Sequence, residues 1–183
     1  RSFGVAFEGC TLPGAADSLF HVPEGKMAIG LGIHGEPVIS ETDIPSADGL
    51  AEILVARLLE EVPDGIRVQG ARVAPILNGL GTIKYEELFV IYRKVDELLQ
   101  EAGLVIVEPD VGELVTSLDM AGVSLTLFWL DNDMEPLWTA AADAPGYRKG
   151  SVTPAQALEV LEEVFLEVCC LKGLFQVLEF FKI

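Results

Sequence analysis

Arg72-Val73-Ala74-Pro75-Ile76-Leu77, then Asn78-Gly79-Leu80-Gly81-Thr82, then Leu88, Ile91, Tyr92, Val95, Leu98, Leu99 and Ala102 at helical spacing: this stretch decides the fold class. The first run is rich in strand formers, the glycines make a turn, and apolar residues recurring every three or four positions mark one face of a helix. Gly103 stands where a helix-ending residue is wanted. The unit is strand, turn, helix, and residues 104–107 read at once as another strand.

The same alternation extends outward in both directions. Residues 3–7 form a short apolar run of strand formers, stopped by Glu8-Gly9 and the turn-prone Leu12-Pro13-Gly14. Residues 27–33 read as a second strand whose glycines admit close backbone approach, and it delivers His34 to a loop. Ser46 or Asp48 can cap a helix with Leu50, Ile53, Leu54, Leu58 and Val62 on one face, which Pro63-Asp64-Gly65 ends. Residues 112–120 read as a short helix and 123–130 as a strand before Asp131-Asn132-Asp133. Alternating strands and helices predict an α/β fold, a mixed or parallel β-sheet with helices packed on it. The order of the strands is not written in the pattern. From Pro154 the composition shifts: Leu158, Leu161, Phe165, Val168, Phe175 and Leu178 form an apolar stripe, with Glu159, Glu162, Glu163 and Glu167 on other faces. The expected organisation is a domain over residues 1–150 and an amphipathic helical tail over 151–183, divided or bent at Gly173.

Composition narrows the function. A chain of 183 residues with half its residues apolar closes a full hydrophobic core. Mean hydropathy is +0.41, but no uncharged run approaches the roughly 18–20 residues that span a bilayer. A formal charge of −17 repels phosphate backbones and anionic lipid heads, so neither nucleic acid nor a membrane is the expected partner, and a neutral or cationic ligand fits better. The three cysteines are Cys10, Cys169 and Cys170. An odd count, with two adjacent, points to a reducing cytoplasm rather than a disulfide framework. Two histidines and no Cys-x-x-Cys pair leave no zinc spacing, so no metal site is expected. The chain opens at Arg1-Ser2-Phe3 without an initiator Met, as a fragment or processed piece would.

His34 is the candidate for chemistry. It stands in Gly32-Ile33-His34-Gly35-Glu36-Pro37, where glycine on either side leaves room for a small molecule to approach the imidazole as nucleophile, base or ligand. On spacing alone an exposed loop histidine is the simpler reading. Glu36 could orient the ring. His21, in a polar connection without glycines, is assigned no role. The Asn78–Thr82 turn could hold an anion at the start of the following helix, but it lacks the third glycine of a dinucleotide fingerprint and the Gly-Lys-Ser/Thr of a phosphate loop. Cys10 has no neighbouring base and reads as a packed thiol. Trp129 and Trp138 read as core or edge packing.

Three strings carry a resemblance: Cys10-Thr11-Leu12-Pro13-Gly14, Met27-Ala28-Ile29-Gly30-Leu31-Gly32-Ile33-His34-Gly35-Glu36-Pro37, and Leu77-Asn78-Gly79-Leu80-Gly81-Thr82. Glu86-Glu87-Leu88, Val115-Thr116-Ser117-Leu118-Asp119-Met120-Ala121-Gly122-Val123-Ser124-Leu125-Thr126-Leu127 and Asp143-Ala144-Pro145-Gly146-Tyr147-Arg148 extend it. Over residues 1–150 the chain resembles the second half of the dihydroxyacetone (glycerone) kinase K subunit. That resemblance implies that His34, with Gly35 beside it, binds dihydroxyacetone or a similar short ketose as a covalent hemiaminal. It also implies that the acid and base groups lie in an upstream K domain absent from this chain. ATP with Mg, or a phosphocarrier, would belong to a separate L domain or subunit, leaving no cofactor here, and the assembly would be a homodimer. The fragment alone would be inactive. The same histidine in a non-catalytic ketose-binding coactivator is the alternative, and a structural domain that self-associates through its tail is a third.

Overall fold

The computed structural model describes residues 1–30 and 38–150. His34, Gly35 and Glu36 lie outside the described residues, as do the expected tail and the domain change at residue 151. The chain groups into two compact units, Arg1–Glu135 and Pro136–Ile183.

The first unit holds β1 (Ser2–Ala6), β2 (Lys26–Ile29), β3 (Ser40–Asp43), α1 (Ala47–Glu60), β4 (Arg72–Gly79), α2 (Tyr85–Glu101), β5 (Val105–Ile106), β6 (Asp110–Gly112) and β7 (Gly122–Leu130). The strands form one sheet in the order β3-β2-β1-β7-β4-β5, with β6 also on β4. β5 and β6 run parallel to β4 and the other pairs are antiparallel, so the expected mixed sheet is observed. β4 and β7 pair over eight residues, from Arg72 opposite Leu130 to Gly79 opposite Val123.

Side-chain alternation then sorts the faces. Val5, Val73, Leu77, Val123, Leu125 and Leu127 pack with Leu50, Leu54, Leu58, Leu88, Val95 and Leu99 of the two helices in one core. Ala6, one residue on from Val5, joins Cys10, Leu80 and Met120 in a smaller cluster backed by Phe20. Cys10 is thus a buried, free thiol. Trp129 packs at the margin of the main core.

Local signals explain the helix ends. Ser46 is the cap of α1: its Oγ accepts the Gly49 N–H at 3.2 Å. Glu87 closes the first turn of α2 by accepting the Lys84 N–H at 2.9 Å, and Gly103 follows its end with φ +80°.

Two expectations are corrected. Residues 112–120 are not a helix: Gly112 ends β6, Leu114, Val115 and Ser117 bond through their backbone to Asn78 and Leu80, and within the segment the backbone makes a single turn, from the Met120 N–H to the Ser117 carbonyl. Leu118 there has φ +57°, outside the helical region. The described part of the second strand ends at Ile29, because Gly30 turns to φ +85°.

The second unit begins within the short α3 (Met134–Thr139) and contains the hairpin of β8 (Ala142–Ala144) and β9 (Tyr147–Lys149). Lys149 Nζ sits 4.1 Å from the Trp138 ring centre and donates to the Trp138 carbonyl at 2.6 Å, which holds the hairpin to its own helix.

Candidate functional site

The residues on either side of the His34 segment are fastened to the sheet. Gly30 N–H donates to the Gly4 carbonyl at 2.9 Å, and Ile39 N–H donates to the Ile29 carbonyl at 2.8 Å. Ile29 pairs with Ser40 across β2 and β3. A side chain at Gly30 would be strained: its φ is +85°, and a Cβ would push the Ile39 side chain aside, with Cδ1 at 2.5 Å. The chain therefore leaves and re-enters the sheet at two adjacent, registered points.

A second constellation gathers the other distinctive strings. Asn78 is the last residue but one of β4, 5% exposed among apolar neighbours. Its carbonyl oxygen accepts the N–H groups of Leu114 and Val115 at 2.8 and 2.9 Å, and its Nδ2 donates to the Val115 carbonyl at 2.7 Å. One side chain thus acts as a short piece of strand for a segment that has no strand partner of its own. Next along, the Ser117 N–H and the Thr116 hydroxyl both donate to the Leu80 carbonyl, at 2.6 and 3.0 Å. Gly81 pairs with Met120, and a Cβ on Gly81 would meet the Leu118 carbonyl oxygen at 2.6 Å. Asp119 closes the cluster by accepting the Thr11 N–H at 2.6 Å, and this hydrogen bond holds its carboxyl below the usual range.

The strings around Thr11, Asn78 and Thr116 therefore meet, at the end of β1 where Phe7 N–H donates to the Ala121 carbonyl at 2.7 Å. The flanks of His34 register lower on the same strand, at Gly4 and Val5, about 7–10 Å from Phe7 at the usual rise of a strand. Sequence reasoning singled out the Thr116–Gly122 string and the Asn78–Thr82 turn without seeing that they touch. The available signal was an asparagine near the end of an apolar strand. Nor does the turn fit a nucleotide phosphate: Gly81 is occupied by the 118–120 backbone, and Glu86 and Glu87 put negative charge in the first turn of α2. Among the described residues no group of three or more His, Cys, Asp or Glu side chains could hold a metal ion. No described helix is long and apolar enough to cross a membrane. His21 is exposed.

The Dak1 domain pattern matches residues 1–146. The chain belongs to the Dak1 domain family. Over 159 residues this Dak1 chain is 63% identical to an L-erythrulose kinase of Pectobacterium atrosepticum, a match covering 86% of the chain and 27% of that enzyme. Among solved structures, it is similar to the dihydroxyacetone kinase of C. freundii in complex with AMP-PNP and Mg2+, with TM-score 0.67 and 30% identity over 83% of this chain and 28% of that one. It is equally similar to a dihydroxyacetone kinase operon co-activator, DhaQ, with TM-score 0.67 and 29% identity over 75% of this chain and 42% of the other. The Dak1 chain thus spans about a quarter to two fifths of the length of these relatives.

Proposed function

We propose that this Dak1 chain is the ketose-holding part of a kinase that phosphorylates short ketoses, with His34 as the residue that captures the sugar. The observation that carries the reading is the family match across both flanks of Gly32-Ile33-His34-Gly35-Glu36. A neutral imidazole nitrogen adds its lone pair to the ketone carbon, and the carbonyl π bond breaks toward oxygen. The proton lost from the other ring nitrogen ends on that oxygen, giving a hemiaminal with no leaving group. The step needs an electrophilic carbon, so glycerol is refused while dihydroxyacetone is accepted. The name of the Pectobacterium relative supports a four-carbon ketose, erythrulose, as a second substrate.

The tether fixes the hydroxyl that is to be phosphorylated, turning a loose encounter into an oriented one. Acid and base groups from an upstream K domain and a nucleotide with magnesium, or a phosphocarrier, from an L-type partner would complete the reaction in a cytoplasmic homodimer. The test is carbon NMR with ketone-labelled dihydroxyacetone and erythrulose. The wild-type chain is expected to show a new tetrahedral carbon in place of the carbonyl signal, and His34→Ala is expected to show none. Unchanged ketose affinity in His34→Ala would defeat the proposal.

Similarity to the co-activator supports a second reading, in which the same histidine senses a ketose without phosphoryl transfer. The discriminating observation is the gene upstream of Arg1. A domain with a glycine loop and acid/base residues there favours the kinase, and its loss favours the sensor.

A further inference from the structure

We propose that the cavity between the N-terminal ends of α1 and α2 is a second small-molecule site, which takes a compact apolar cation such as a primary alkylamine. The cavity measures about 360 Å³, within the range of pockets that enclose small organic molecules. Buried Leu50 and Val123, with half-buried Phe7, form its inner wall, and Ile44 and Val90, about half exposed, stand at its mouth. Such walls favour an apolar body over a sugar.

Charge selects the head group. Of the residues lining the cavity, the charged ones are Glu86 and Glu87, and both are acidic. Glu87 is committed to the Lys84 N–H, which leaves Glu86 to face a ligand. At the start of α1, Asp48 pairs with Arg93. Carboxylates in the first turns of both helices offset the positive ends of their dipoles, so an anion gains nothing there. The chain's charge of −17 repels it further. An ammonium group is drawn to the mouth while its alkyl chain fills the interior.

Along β3 this site is set apart from the anchored flanks of the His34 segment. Ile44 follows the end of β3, whereas Ser40, beside the flanks of the His34 segment, begins it, and the four-residue offset is about 13 Å along a strand.

The experiment titrates the methyl-labelled full chain with hexylammonium, hexanol and hexanoate, three head groups on one tail. Saturable shifts confined to the methyls of Ile44, Leu50, Val90 and Val123 are expected, with hexylammonium binding tightest and hexanoate weakest. Glu86→Gln should weaken hexylammonium by about two- to fivefold, the range for one exposed charge pair, and leave hexanol unchanged. Asp64→Asn, about 20 Å away beyond the other end of α1, should alter neither. Equal affinity for the three heads, shifts that fail to saturate or that spread over the surface, or an unaltered hexylammonium affinity in Glu86→Gln would overturn the proposal. His34→Ala should leave this binding intact, so failure of the ketose reading and failure of the amine site are told apart.

Discussion

At the scale of single residues, Asn78 and Asp119 do comparable work by different physics. Asn78 is buried, and truncating it strands two N–H donors and one carbonyl that bond nowhere else among the described residues. Asn78→Ala should therefore cost about 1–3 kcal/mol: a buried group left unpaired costs roughly 1–3 kcal/mol, but these bonds are part-buried and Leu114 and Val115 are exposed, so water takes up part of the loss. Urea denaturation measures it, and a loss below about 1 kcal/mol would mean that the 113–116 segment does not depend on this side chain. Asp119 is exposed, and its effect is one of pH. Its folded-state pKa lies below the unfolded value, so the stability it adds is complete above the unfolded value of about 3.9 and is lost as pH falls through the folded one. The gap in urea midpoint between wild type and Asp119→Asn should stay constant near neutrality and shrink below about pH 4. A gap that grows on acidification would contradict the sign.

At the scale of elements, Gly81 tests whether the 112–122 segment is held as a unit. A methyl there meets the Leu118 carbonyl oxygen and the Met120 backbone at 2.6–3.0 Å, and backbone cannot swing away as a flexible side chain can. Gly81→Ala should lower stability by about 2 kcal/mol or more and raise the amide exchange of Ser117 and Met120, whose bonds depend on that contact. The elements also show which kinds of information are local. The strand, turn and helix from Arg72 to Gly103 were legible because their periods are properties of neighbouring residues. β3, Ser40-Glu41-Thr42-Asp43, was not: it is a polar strand that pairs, among the described residues, on one side only, and it carries no apolar alternation. β6 escaped because its partner Ile76-Leu77-Asn78 lies more than thirty residues earlier. Residues 112–120 read as a short helix, but bonds to Asn78 and Leu80, both distant in sequence, take the backbone groups of Leu114, Val115 and Ser117. The candidate site rests on another kind of information. His34 was singled out by a string of residues, which no periodicity could supply, and it lies outside the described residues; that the Thr11, Asn78 and Thr116 strings meet became visible only when the sheet brought distant segments together.

At the scale of the molecule, acidic residues outnumber basic ones by 29 to 12. The ion pairs that use the cations, such as Arg72 with Glu135 and Arg93 with Asp48 and Glu97, are exposed or partly exposed, and water and salt screen each of them to a small contribution. Self-repulsion is then the larger electrostatic quantity, and salt should stabilise the fold. Raising NaCl from about 20 to about 200 mM shortens the screening length from roughly 20 to roughly 7 Å and should raise the urea midpoint. A fall would show that the surface pairs outweigh the repulsion. Asn78 also gives the chain a chemical clock. An asparagine followed by glycine is the pairing most prone to lose its amide, through attack by the following backbone nitrogen. In the folded chain that side chain is pinned by three hydrogen bonds within a paired strand and cannot reach the geometry of attack. Loss of ammonia at this position would then record time spent unfolded, and because the damaged residue could no longer donate to Val115, each such excursion would make the next one easier.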